Sequence, residues 1–151
     1  MFDLAKILPQ VYPFLMIDKI IEFEKGKYLT AVKNITANEW YFGNNNKSGQ
    51  CSVSSDQYFP ETLIIEAAAQ TALAFGKLSG GDTIGDTKVS CPIYFIAKTE
   101  AEFFERAQIG DSLILKIKNF KMMEKQGFVE VGVSAEKNKI AEVKVFYAIK
   151  K

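Results

Sequence analysis

Leu63-Ile64-Ile65-Glu66-Ala67-Ala68-Ala69-Gln70-Thr71-Ala72-Leu73-Ala74-Phe75 is the stretch on which the fold turns. It is apolar on every side of a helical wheel, which marks a helix enclosed by other elements. Two polar groups interrupt it. Glu66 and Gln70 stand one helical turn apart and point the same way. A carboxyl buried without a partner either destabilises the chain or titrates abnormally. Glu66 therefore predicts either a specific polar partner or chemistry.

Working outward, Pro60 suits the first helical position and Glu61 the positive end of the helix dipole. Ser79-Gly80-Gly81-Asp82 ends the helix near Leu78. Upstream, residues 43–57 form a long polar segment of loop composition, a length that in a compact domain is usually functional or mobile. Before it come two strand-like runs, Met16 to Phe23 and Tyr28 to Ile35, joined by the turn Glu24-Lys25-Gly26-Lys27. Asp3 to Leu8 suits a short helix stopped by Pro9, and Val11-Tyr12-Pro13-Phe14 is extended. Downstream, Ile93 to Ala97 and Ala101 to Arg106 read as one long strand with a polar interruption at Lys98-Thr99-Glu100. Leu113 to Lys121, Phe128 to Ala135 and Ile140 to Ile149 complete the set, with Lys137-Asn138 turning the last hairpin. Val129, Val131 and Val133 share one face of their strand. Two strands, one enclosed helix and a run of antiparallel strands give an α+β class, with about five or six strands curved around the helix.

A chain of 151 residues fits a single domain, 1–151, with a proper core. Its net charge of +1 carries no nucleic-acid footprint, and Arg106 is the only arginine. Cys51 and Cys91, with no signal-like start, point to free thiols in a reducing cytoplasm. The longest apolar run is too short for a membrane span. Histidine is absent. That removes the commonest general base and the usual partner of a nucleophilic serine or cysteine, and it leaves no zinc site of ordinary composition. No phosphate loop or dinucleotide fingerprint is present. Neither a metal nor a cofactor is expected, and any catalysis runs on Glu, Asp, Lys, Tyr, Cys or backbone groups.

Three segments carry a family resemblance. Ile7-Leu8-Pro9-Gln10-Val11-Tyr12-Pro13-Phe14-Leu15-Met16-Ile17-Asp18-Lys19 resembles the N-terminal motif of the 3-hydroxyacyl-(acyl carrier protein) dehydratases of fatty acid synthesis. Val32-Lys33-Asn34-Ile35-Thr36-Ala37-Asn38-Glu39-Trp40-Tyr41-Phe42-Gly43 resembles the stretch that leads into that family's active-site loop. Phe59-Pro60-Glu61-Thr62-Leu63-Ile64-Ile65-Glu66-Ala67-Ala68-Ala69-Gln70 resembles the start of its central helix. Tyr94-Phe95-Ile96-Ala97 and Ile109-Gly110-Asp111-Ser112-Leu113 follow in the family's order. The resemblance implies a hot-dog fold, a curved antiparallel sheet around one long helix. It also implies a homodimer, with a trimer of dimers as the larger assembly, and an acyl thioester of acyl carrier protein or coenzyme A as ligand.

In that family a loop histidine takes the C2 proton of a 3-hydroxyacyl thioester, and an acid on the helix handles the departing hydroxyl. Glu66 matches the acid and Gln70 the glutamine one turn later. The histidine has no match: counting from Gly43 puts Asn44 in its place, counting back from Glu66 puts Ser52 there. Asp56, Tyr58 and Cys51 are the nearby groups that could substitute as base. Gln10 stands where the family usually has histidine, Val11 where it has arginine, and Glu61 where it has glycine. The resemblance assigns catalysis to Glu66, Gln70 and Asn44, and substrate binding to Tyr12, Phe14, Phe42, Gly43, Phe59, Tyr94 and Phe95. It implies a dehydratase-like protein whose catalysis is impaired or altered by the missing base. The alternatives are a thioesterase using Glu66, and a non-catalytic subunit that binds acyl chains or their carrier.

Overall fold

The computed structural model describes residues 1–42, 58–80 and 93–150. A short helix α1 (Leu4–Ile7), capped by the Asp3 carboxylate on the Ala5 amide, precedes strands β1 (Lys19–Glu24) and β2 (Tyr28–Asn34). A single 3-10 turn, Trp40–Phe42, follows. Then come the long helix α2 (Glu61–Ser79) and strands β3 (Ile93–Phe103), β4 (Ser112–Met122), β5 (Gln126–Ala135) and β6 (Asn138–Lys150). The strands form one antiparallel sheet in the order β1-β2-β4-β5-β6-β3. The chain therefore leaves β2, passes through α2, and returns at the far edge before β4 fills the place beside β2. This is the α+β, six-stranded, hot-dog architecture expected from the sequence.

Alternation along the strands decides what the helix meets. Leu113, Leu115 and Ile117 of β4, Val129, Val131 and Val133 of β5, and Val143 and Val145 of β6 are buried beneath it. On α2 the matching stripe is Ile64, Ala67, Ala68, Thr71, Ala74 and Phe75, each at most 1% exposed. Alanines there let the helix lie close to the sheet, and Phe75 fills the widening end against Phe120, ring centroids 4.8 Å apart.

Several details differ from the sequence expectation. Helix α2 is apolar all round but not enclosed all round within this chain: Leu63, Ile65, Glu66 and Leu73 stay partly open. Pro60 is the residue before the first helical turn, its carbonyl accepting from the amides of Leu63 and Ile64. The break expected at Lys98-Thr99-Glu100 is a register shift between Ile96 and Lys98 inside one continuous strand. The last hairpin turns at Glu136-Lys137, one residue earlier than expected. Ala135 pairs with Asn138 there, and Glu136 takes a positive φ of 52°. At the first hairpin Gly26 takes the left-handed conformation, φ 68°, that its three-residue loop requires.

Candidate active site

Glu66 lies on the face of α2 turned away from the buried stripe. It is half-buried rather than enclosed. It borders a cavity of about 200 Å³ between the helix and the inner ends of β3 and β6. The cavity wall is mostly apolar: Ala69, Leu73 and Gly76 from the helix, Phe95 and Ile96 from β3, Val145 and Tyr147 from β6. Glu66 is the only carboxylate among the described residues that line it.

The carboxylate is held by Gln70. Gln70 Nε2 donates to Glu66 Oε1 at 2.7 Å and to the Phe14 carbonyl at 2.7 Å, while its Oε1 accepts from the Met16 amide at 2.8 Å. Both donor hydrogens and the acceptor of the amide are engaged, and the residue is 1% exposed. The polar partner that the helix sequence called for is thus an amide one turn away, itself clamped by main chain from the N-terminal arm. Gln70 thus orients one oxygen of Glu66, and no hydrogen bond from another described residue engages the second.

The remaining predicted residues divide. Tyr94 and Phe95 line the cavity with Glu66 and Gln70. Phe14 contributes its carbonyl, but its ring is 64% exposed, and Tyr12 is 81% exposed. Phe42 and Phe59 are core residues, 8% and 1% exposed. Phe59 meets Tyr41 edge-to-face at 5.1 Å, and neither phenylalanine borders the cavity. Gly43 and Asn44 lie outside the described residues, as do Cys51, Ser52 and Asp56. Tyr58 is described, and its ring carries the Arg106 guanidinium at 4.8 Å, away from Glu66. Arg106 also pairs with Glu61 at 3.4 Å, which turns that carboxylate outward at the start of α2.

Tyr147, Gly76 and Gln10 line the cavity without having been assigned to the site from sequence. Tyr147 shares parity with Val143 and Val145, so strand alternation alone places it inward. It lies over Gly127 of β5, its cross-strand partner. Burial raises its phenol pKa, and the neighbouring Tyr94 adds to the shift. Gly76 contributes open space: a Cβ built there meets nothing within 4 Å. Gln10 enters from the loop after α1, and no periodicity marks it.

A second polar cluster fixes the approach to the site. Lys33 shares a sheet face with Ala31 and so points inward, where its ammonium bonds Glu39 at 2.6 Å and Asp18 at 3.4 Å. Asp18 also accepts from the Asn34 amide at 2.6 Å. Glu39 opens the 3-10 turn, and Trp40 Nε1 donates to the Pro13 carbonyl at 3.0 Å. The turn, β2 and the N-terminal arm are therefore tied together beside the residues that hold Gln70. Tyr41 sits within this cluster. Burial pushes its pKa well above the ordinary phenol range, and the charges of Glu39 and Asp18 add to it. Among the described residues its hydroxyl meets no partner in hydrogen-bond geometry.

Comparison with known proteins identifies the family. Residues 8–144 match the FabA-like domain. The chain is 38% identical over 124 residues to the 3-hydroxyacyl-[acyl-carrier-protein] dehydratase FabZ of Sodalis glossinidius, covering 79% of this chain and 72% of that one. It is 36% identical over 118 residues to the protein of the same name from Paracidovorax citrulli, covering 77% and 73%. Among solved structures, the dehydratase heterocomplex ApeI:P from Xenorhabdus doucetiae superposes with a TM-score of 0.75 at 12% identity, covering 100% of this chain and 93% of that one. A hypothetical thioesterase from Streptococcus pneumoniae with coenzyme A gives 0.60 at 7% identity, covering 87% and 84%. These two show a shared fold. No helix among the described residues is long and apolar enough to cross a membrane. With a six-stranded sheet around one helix, a Glu66–Gln70 pair at its cavity and relatives of this identity and coverage, the chain belongs to the FabA-like, FabZ-type 3-hydroxyacyl-[acyl-carrier-protein] dehydratase family.

Proposed function

We propose that this protein takes up a 3-hydroxyacyl thioester of acyl carrier protein or coenzyme A and removes water from it with Glu66. The observation that carries the reading is Glu66 itself: a carboxylate at a largely apolar cavity, one oxygen oriented by Gln70 and the other not engaged by a described residue. Dehydration takes a proton from C2 and a hydroxide from C3. Glu66 as carboxylate accepts the C2 proton, the negative charge spreads into the thioester carbonyl, and the resulting carboxylic acid returns the proton to the leaving hydroxyl. Water and the alkene form, and the carboxylate is regenerated. A histidine would normally share this work. Without one, a single carboxyl serves both steps, and the absence of a positioned base lowers the rate by roughly 10²–10⁴.

Mass-spectrometric turnover of 3-hydroxyacyl and saturated acyl thioesters tests this, wild type against Glu66→Gln. Loss of water that vanishes in the variant supports the dehydratase. Release of free acid replaces it with a thioesterase. One observation favours that second reading: Arg106 pairs with the Glu61 carboxylate, which lessens the repulsion Glu61 would offer an oxyanion developing near the start of α2. Binding without turnover would leave a non-catalytic acyl-binding subunit. We keep Asn44, which lies outside the described residues, as a proposed catalytic residue in the place of the family's histidine.

We further propose a homodimer of cytoplasmic location. Strand β3 is an edge strand along which Ile93, Phe95, Ile96 and Phe103 are exposed, an arrangement that invites pairing with a second copy. Light scattering behind size-exclusion chromatography that returns a clean monomer removes this assembly.

A further inference from the structure

The hydrogen bonds that orient Glu66 do not end at Gln70. The Gln70 amide is itself set by two main-chain groups of the N-terminal arm, the Phe14 carbonyl at 2.7 Å and the Met16 amide at 2.8 Å. Glu66 is therefore only as well aimed as the arm is held. On its C-terminal side the arm is held by burial and by bonds. Met16 and Ile17 are 2% and 1% exposed, and the Asp18 amide donates to the Val32 carbonyl at 2.8 Å. The Asp18 carboxylate takes the Asn34 amide and the Lys33 ammonium. On the N-terminal side packing does little, since Val11, Tyr12 and Phe14 are 70%, 81% and 64% exposed. The bond from the Phe14 amide to the Val11 carbonyl is internal to the arm and moves with it.

Apart from Gln70, one described residue ties this loose side to another element: the Trp40 indole N–H donates to the Pro13 carbonyl at 3.0 Å. That carbonyl belongs to the same peptide unit as the Phe14 amide, and the two turn as one plane. Trp40 holds one edge of the plane and Val11 the other. The next carbonyl along the chain is the one that Gln70 reads. Trp40 is fixed in turn by the residue before it, Glu39, which is bonded to Lys33. The inference rests on the dehydratase reading above. We propose that Trp40 is a positioning residue for Glu66: by pinning the Pro13–Phe14 peptide it fixes the Gln70 amide, and through it the carboxylate that meets the substrate. Trp40 does not line the cavity, so its loss turns Glu66 while leaving the walls that hold an acyl chain in place. A hydrogen bond at a half-exposed ring contributes little to folding, which separates this role from a structural one.

Trp40 is the only tryptophan in the chain. Growth with benzothienylalanine in place of tryptophan therefore alters this one residue, putting sulfur where the N–H was and keeping the shape of the ring. The test is steady-state dehydration of a 3-hydroxyacyl thioester by wild type and by the substituted protein. The expected result is a kcat lower by about ten- to a hundredfold, the cost of a misaimed acting group, with KM within about twofold. The Gln70 side-chain amide protons are expected to exchange faster with solvent by NMR. Rescue is expected from a ring-fluorinated tryptophan introduced the same way, because it keeps the N–H. Thermal unfolding checks that each protein is folded, and Trp40→Phe serves if the benzothienyl protein is not. A wild type that removes no water overturns the proposed function, and this inference with it. Wild-type turnover with kcat unchanged in a folded variant, or a loss carried by KM alone, overturns the role of Trp40 and leaves the proposed function standing. So does failure of both variants to fold, which would make Trp40 a support of the fold and not of the site.

Discussion

Lys33 Nζ lies 2.6 Å from Glu39 Oε1 in a site where the lysine side chain is only 5% exposed. Removing one member of such a pair strands the other charge in a poorly solvated place. Lys33→Met is expected to destabilise the fold by about 3 kcal/mol. The double variant Lys33→Met/Glu39→Leu is expected to recover much of that, because the one carboxylate left, Asp18, is 36% exposed and keeps its bond from the Asn34 amide. Urea unfolding of the two variants and wild type measures both.

Tyr41 has the opposite problem, a buried hydroxyl without a hydrogen-bond partner among the described residues. Tyr41→Phe removes the unsatisfied oxygen and keeps the ring contacts with Phe42 and Phe59. It is expected to be neutral or stabilising by up to about 1 kcal/mol.

Tyr41 and Tyr147 both have pKa values raised by burial. In the unfolded chain they ionise near pH 10. Their protonated forms are favoured in the fold, so above that pH the unfolded chain holds fewer protons. Stability is therefore intact below about pH 10 and falls as pH rises beyond it. Thermal unfolding between pH 8 and pH 11 (~) should show the decline, and it should be shallower in Tyr41→Phe/Tyr147→Phe.

Gly76 interrupts α2 where the cavity needs room. Alanine there meets nothing within 4 Å and restores helix propensity, so Gly76→Ala is expected to stabilise the protein by roughly 0.5–1 kcal/mol. A larger side chain grows into the cavity. Gly76→Leu is expected to weaken binding of long acyl thioesters while sparing short ones, read as affinity against chain length.

Gly127 is constrained by its neighbours. A Cβ there would strike the Lys121 carbonyl and come within 2.7 Å of Tyr147 Oη. Gly127→Ala is expected to cost about 1–3 kcal/mol and to shift the Tyr147 ring that walls the cavity, measurable by unfolding and by near-ultraviolet circular dichroism.

Helix α2 and the six strands were legible because their periodicities are strong: Val129, Val131 and Val133 can only alternate, and Ile64 to Phe75 can only coil. Element ends were less so. Glu136 adopts a positive φ that no residue preference announces, since tertiary register, not turn chemistry, sets that hairpin. Glu66 and Gln70 stood out as polar interruptions in an apolar rod. The aromatic residues did not sort themselves: Phe59 and Phe95 look alike in sequence, yet one fills the core and the other borders the cavity. Lys33 gave no signal, because a lysine in a strand ordinarily faces water, and only the pairing of β2 with β4 turns it inward. Gln10 was marked only by the family resemblance, as the residue standing where histidine is usual. It sits in irregular chain, where the direction of a side chain is decided by distant contacts.

The amide of Gln70 spans two parts of the molecule far apart in the chain, the arm at Phe14–Met16 and the helix at Glu66. With every valence taken it behaves as a rigid strut rather than a swivel. A displacement of the arm is transmitted to the carboxylate as a rotation. The substitution that tests this is small: Gln70→Glu keeps size and shape, yet puts an acceptor where the Phe14 carbonyl and Glu66 both need a donor. The strut would then push where it now pulls, and the arm would become a lever on the site from nearly sixty residues away along the chain.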